Sequence, residues 1–158
     1  MNTRLERLLA ELGMLRHGRF YRDRWFILAI VSGAAVVFTI RLLFPDAINT
    51  EKTPSSLIIF NSLVWFPVLE ELLFRGVIQG QLLNLNKTAS SLFGLTYANW
   101  ITSMLFVAMH FVHHSPLWAI SVIAPSLVFG FMRDYYGSIY PAIVLHSIYN
   151  AQYLLVLG

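Results

Sequence analysis

From Trp25 onward the chain is a succession of long apolar runs broken by short polar punctuation. The runs cover Trp25 to Phe44, about Leu57 to Leu83, about Phe93 to Val112, about Leu117 to Met132 and about Ile139 to Leu157. Each is near the roughly 20 residues a helix needs to cross a bilayer. Pro45 closes the first run, and Asp46 to Ser56 is a polar connection carrying Glu51, Lys52 and Pro54. Asn84 to Ser90, with Lys87, reads as the next turn, and the later runs are parted by HHSP and RDYYGS, rich in ordinary breakers. Ahead of the first run, Leu5, Leu8, Leu9, Leu12 and Leu15 recur at helical spacing among arginines, the pattern of an amphipathic helix lying on a membrane surface. The pattern predicts an all-α, polytopic transmembrane helix bundle of about five spans plus an N-terminal amphipathic helix. Residues 1–24 form a basic membrane-surface arm, and residues 25–158 the transmembrane core.

Composition narrows the class further. With 57% hydrophobic and 12% charged residues, the chain lies far from a soluble average. The absence of cysteine excludes disulfides and thiolate metal sites. Arg4, Arg7, Arg16, Arg19, Arg22 and Arg24 crowd the first 24 residues, which suits a juxtamembrane arm on anionic lipid and gives no case for nucleic-acid binding. The first run is longer than a signal-peptide core and lacks a small-residue cleavage site, so it is expected to be retained. The six arginines, Lys87 and Arg133 fall on one side of the expected spans, which places the N-terminus in the cytoplasm, with Lys52 alone opposed.

Charge inside the runs is rare and concentrated. Six of the eight acidic residues fall in the arm or in expected connections, leaving Glu70 and Glu71 within a span. With Arg75 on the same run, Asn99 and His110 on the third, and His146 and Asn150 on the fifth, three helices carry polar groups that lipid cannot satisfy. Glu71 and Arg75, four apart, are expected to neutralise each other as an ion pair. Glu70 points elsewhere and stays free to react. His146 and Asn150, also four apart, present two donors from successive turns. A carboxylate base, a histidine holding water and a convergent donor pair are the parts needed to cleave an amide with activated water. No better nucleophile is in sight, since Ser103 and Ser147 lack an activating motif.

The runs EELLFR (Glu70 to Arg75), FVAMH (Phe106 to His110) and HSIYN (His146 to Asn150) resemble, in order and spacing, the EExxxR, FxxxH and HxxxN motifs of the CPBP family of intramembrane proteases. This is also called the CAAX protease and bacteriocin-processing, or Abi, family. The flanking GSIYPAIVLHSIYN is similar to the family's approach to its third motif. The resemblance implies an all-helical intramembrane peptidase of the glutamic type. By motif, Glu70 is the general base on water together with His110, His146 and Asn150 form an oxyanion hole, Glu71 and Arg75 support the site, and Phe106 packs against it. No cofactor is then required.

Other readings use the same side chains. Glu70, His110 and His146 are a possible open three-ligand zinc site with bound water, which makes a metalloprotease the first alternative. A small transporter with a buried proton path, or a non-catalytic immunity protein, is the non-enzymatic alternative. Lone buried His or Asn residues often only glue helices, and Asn99 can be a plain helix-end hydrogen-bonder. His113 and His114, beside Ser115 and Pro116, read as a solvated turn rather than metal ligands with His110. The expected substrate is a membrane-embedded or lipid-anchored peptide or C-terminal tail, and the expected location the inner (plasma) membrane of a prokaryote.

Overall fold

The computed structural model describes residues 4–15, 18–45, 54–85 and 87–157. Arg16, Asp46, Glu51 and Lys52, and with them most of the connection after the first run, lie outside the described residues. Helix α1 (Arg4–Glu11) is followed by a 3₁₀ turn at Phe20–Arg22. Asp23 caps α2 (Arg24–Leu43), its carboxylate accepting from Trp25 N at 2.8 Å, an ordinary N-cap. Helix α3 (Ser56–Leu83) is 28 residues long and contains two π-helical stretches, Asn61–Trp65 and Leu72–Gln79. Then come α4 (Tyr97–His110), α5 (Pro116–Ser121), α6 (Ile123–Tyr136) and α7 (Tyr140–Val156).

Three of these segments, α2, α3 and Pro116–Tyr136, are long and apolar enough to cross a membrane. Helices α4 and α7 have 14 and 17 residues. At 1.5 Å per residue they reach about 21 and 26 Å, short of a hydrocarbon core of about 30 Å. The third apolar run therefore yields a shorter helix than its hydropathy promised. Its first residues form a small hairpin, Ser91–Leu92 against Leu95–Thr96, closed by Phe93 and Gly94 at φ 54° and 79°. Thr96 then caps α4, accepting from Asn99 N at 3.0 Å.

The fourth run departs from expectation at both ends. Pro125 cannot donate to the carbonyl of Ser121, and the helix breaks at Val122, between α5 and α6. At the other end α6 runs on to Tyr136 and stops only at Gly137, in the left-handed conformation that suits glycine. Arg133 and Asp134, expected in a connection, are thus helical.

The core lies where α2, α6 and α7 meet. Phe26 and Ala29, Phe129, Met132 and Tyr136, and Ala142 and Leu145 form one buried cluster. Two α7 side chains tie it to α2 through backbone carbonyls, Tyr149 Oη donating to Ala29 O at 2.8 Å and Gln152 Nε2 to Ile30 O at 3.2 Å. The outward faces of α2 and α3 carry large exposed apolar residues, among them Leu28, Val31, Phe38, Leu57 and Phe60, as a lipid-facing surface does.

Candidate active site

The first π-helical stretch of α3 follows from one residue. Pro67 has no N–H, so an α-register would leave the Leu63 carbonyl unpaired and press the ring against it. The helix widens instead, and Phe66 N–H donates to Asn61 O, five residues back. Ser62 O thereby loses its α-helical donor, and its π-register donor is Pro67 itself. The amide of Asn150 fills the vacancy, Nδ2 donating to Ser62 O at 2.8 Å. Asn150, expected in an oxyanion hole, thus also joins α7 to α3, with one N–H and its carbonyl oxygen left over.

One to two turns further along α3 stand the acids. Glu71 and Arg75 are fully buried, and Arg75 Nε lies 3.2 Å from Glu71 Oε2. The guanidinium also donates from Nη2 to both the carbonyl and the hydroxyl of Ser126 on α6, at 2.9 and 2.8 Å. Aromatic faces enclose it, with Phe106 at 4.7 Å and Phe129 at 5.6 Å from the guanidinium carbon. The expected ion pair is present and has more partners than its helix supplies.

His146 stands between the two acids. Its Nδ1 is 2.9 Å from Glu71 Oε1 and its Nε2 3.8 Å from Glu70 Oε2. An ionised carboxylate only accepts, so the network assigns the Nδ1 proton to the Glu71 bond and leaves Nε2 facing Glu70. Phe129 stacks flat on the imidazole, centroids 4.7 Å apart and planes at 18°. The Glu70 side chain is 22% exposed, that of Glu71 not at all. The two neighbouring acids differ in environment as well as in partners.

His110 sits at the last residue of α4, half-buried, its Nδ1 bonded to Phe106 O at 2.8 Å. Phe106 lies between the two histidines, 4.4 Å from the His110 ring and 6.3 Å from His146. No ion pair joins His110 to Glu70; the imidazole beside Glu70 is that of His146. His114 stacks on Trp118 at 4.0 Å and lies 5.7 Å from His110. Among the described residues no group of three or more His, Asp or Glu side chains is placed to hold a metal ion.

A polar seam continues from the site along α3, and the sequence reading missed most of it. Gln79 Nε2 donates to Gly130 O at 3.0 Å and to Asp134 Oδ1 at 2.7 Å. Thr96 Oγ1 donates to the other oxygen of Asp134 at 2.8 Å. Asn99 Nδ2 donates to Leu127 O at 3.0 Å and its Oδ1 accepts from Ser103 at 3.1 Å. The signal was available as spacing, because Arg75 and Gln79 bond to Ser126, Gly130 and Asp134, and both sets recur at four-residue intervals.

A family model described as type II CAAX prenyl endopeptidase Rce1-like matches residues 52–152, a stretch that contains all three motifs and both ends of the seam. The chain belongs to that family. The Rce1-like assignment agrees with the CPBP resemblance carried by the motifs, and with the apolar helices it supports an integral membrane protein of protease kinship. No curated protein and no solved structure matches this Rce1-like chain.

Proposed function

We propose that this Rce1-like protein is an intramembrane endopeptidase in which Glu70 draws a proton from water that attacks a peptide carbonyl. The observation that supports the reading best is the division between the two acids. Glu71 is committed to Arg75 and His146, whereas Glu70 is partly exposed and, among the described residues, forms an ion-pair contact with His146 alone, at 3.8 Å. That gap exceeds a direct hydrogen bond, and a water on its open side reaches both Glu70 Oε2 and His146 Nε2. A carboxylate and an imidazole then share the molecule to be activated.

His110 lies on the other side of Phe106 from His146 and presents its Nε2, since Nδ1 is held by the backbone. The spare N–H of Asn150 is a donor for charge developing on the scissile carbonyl oxygen, and His146 becomes a second one once its Nε2 takes up a proton from the activated water. Burial of Glu71 and Arg75 keeps these groups in a low-dielectric surrounding, where each interaction is stronger than in water. The substrate in this reading is a membrane-embedded or lipid-anchored peptide or C-terminal tail, reached from the bilayer.

The test is cleavage of membrane-embedded tail peptides by purified protein, comparing wild type with Glu70→Ala, each with and without a strong chelator. Loss of turnover in the variant with its thermal unfolding unchanged is the expected result. Equal cleavage by both proteins rejects Glu70 as the base, and loss of wild-type activity in chelator redirects the mechanism to a metal.

A further inference from the structure

The turn that ends α1 is locked to the bundle through its backbone. Arg133 Nη2 donates to Glu11 O at 2.9 Å, and Ile139 N donates to Gly13 O at 2.9 Å. The Glu11 carbonyl passes over Gly80 so closely that a Cβ there would stand 2.5 Å from the oxygen. Gly13 is left-handed, φ +67°, and a Cβ on it would meet Arg133 Nε at 2.5 Å. These contacts lie at one end of the bundle: Gly80 and Arg133 are in the last turns of α3 and α6, and Ile139 immediately precedes α7.

Helix α1 has no fully buried residue, and of its apolar side chains Leu9 is half-buried. Leu5 and Leu8, on one face, are 64% and 48% exposed, and Arg4 and Arg7 are exposed beside them. A helix fixed rigidly at its C-terminal end yet open along its apolar face needs a surface to cover it. Because it is fixed at the end of membrane-crossing helices, the layer beside it is the boundary between headgroups and acyl chains. The charge matches: residues 1–24 carry six arginines against Glu6, Glu11 and Asp23, which accounts for the whole net charge of +3.

We infer that α1 is a lipid-contact element for anionic membranes. Leu5 and Leu8 enter the acyl boundary, Arg4 and Arg7 meet anionic headgroups, and the Glu11–Met14 turn is the rigid joint that holds the helix at that depth. The inference does not rest on the peptidase reading, because its readout is depth and not turnover.

The chain has no cysteine, so Leu8→Cys supplies a single site for a nitroxide. Power-saturation EPR with oxygen and a water-soluble nickel chelate reads its depth in vesicles of phosphatidylcholine alone or mixed equally with phosphatidylglycerol. The expected result is a label protected from nickel in the mixed vesicles and more accessible in phosphatidylcholine. Adding Arg4→Gln and Arg7→Gln, both exposed positions, shrinks the protection by up to about fivefold per arginine. A label equally accessible to nickel in both vesicles overturns the inference, because α1 is then merely solvated. Protection that is equal in both vesicles and unchanged by the two glutamines also overturns it, because the depth of α1 then owes nothing to anionic headgroups.

Discussion

The Nδ1 of His146 lies 2.9 Å from Oε1 of Glu71, a contact between α7 and α3 in which the carboxylate is fully buried. Glu71 therefore orients an imidazole besides neutralising Arg75. Glu71→Gln leaves a buried guanidinium without its counter-charge and is expected to cost about 3–5 kcal/mol of stability along with activity. Glu70→Gln, at a partly exposed acid, is expected to leave stability near wild type and lower turnover by about 10² to 10⁴. Thermal unfolding in detergent beside peptide cleavage checks both, and an equal stability loss in the two variants contradicts the division of roles.

Ser126 gives Arg75 two acceptors, its carbonyl and its hydroxyl. Ser126→Ala removes one of them and is expected to cost about 1–3 kcal/mol, the range for leaving a buried donor short of a partner. Arg75→Lys is expected to cost more, because a single ammonium cannot reach Glu71 and Ser126 with the geometry of a planar fork. Unfolding midpoints ranked the other way would show that the guanidinium's fork is not what anchors α6.

Asn150 and Pro67 are expected to be coupled although no contact is required between them. Pro67→Ala restores an N–H that can serve the Ser62 carbonyl, which makes the Asn150 amide redundant at that oxygen. A double-mutant cycle with Asn150→Ala is expected to show about 0.5–1.5 kcal/mol of coupling. Additive effects would mean that Asn150 does not stabilise the fold through Ser62.

Gly130 lets α6 approach α4, since a Cβ at this position would overlap the side-chain oxygen of Asn99. Asn99 is held on both sides, by Leu127 O and Ser103, and cannot turn away without losing a bond. Gly130→Ala is expected to cost about 1–3 kcal/mol. Adding Asn99→Ala, which removes the obstructing amide, should recover part of that loss in the same unfolding assay.

The helical character and the meeting of α3 with α7 were legible in the sequence, because charged groups in apolar runs have few places to go and four-residue spacing puts Glu71 beside Arg75. What misled was the assumption of one uniform helix period. Helix α3 is π-helical over Asn61–Trp65 and Leu72–Gln79, so facing angles reckoned at 3.6 residues per turn do not hold through the site. The absent N–H of Pro67 was readable; the use α7 makes of the freed carbonyl was not, because it depends on packing. The breakers of RDYYGS point to a connection at Asp134, yet only Gly137 ends the helix. The joint at Glu11–Met14 was invisible for another reason: it is made by carbonyl oxygens, which every residue possesses.

The four-residue spacing of Glu71 and Arg75 also bears on how the protein is made. When α3 first leaves the insertion machinery, α6 and α7 have yet to be synthesised, and Ser126 and His146 are not there to receive it. A glutamate and an arginine one turn apart on the same helix can discharge each other at once. The nascent segment then enters hydrocarbon with one uncompensated acid instead of three separate ions, a smaller barrier to partitioning. Placing Arg75 beyond the reach of either acid would disturb biogenesis before any question of catalysis arose.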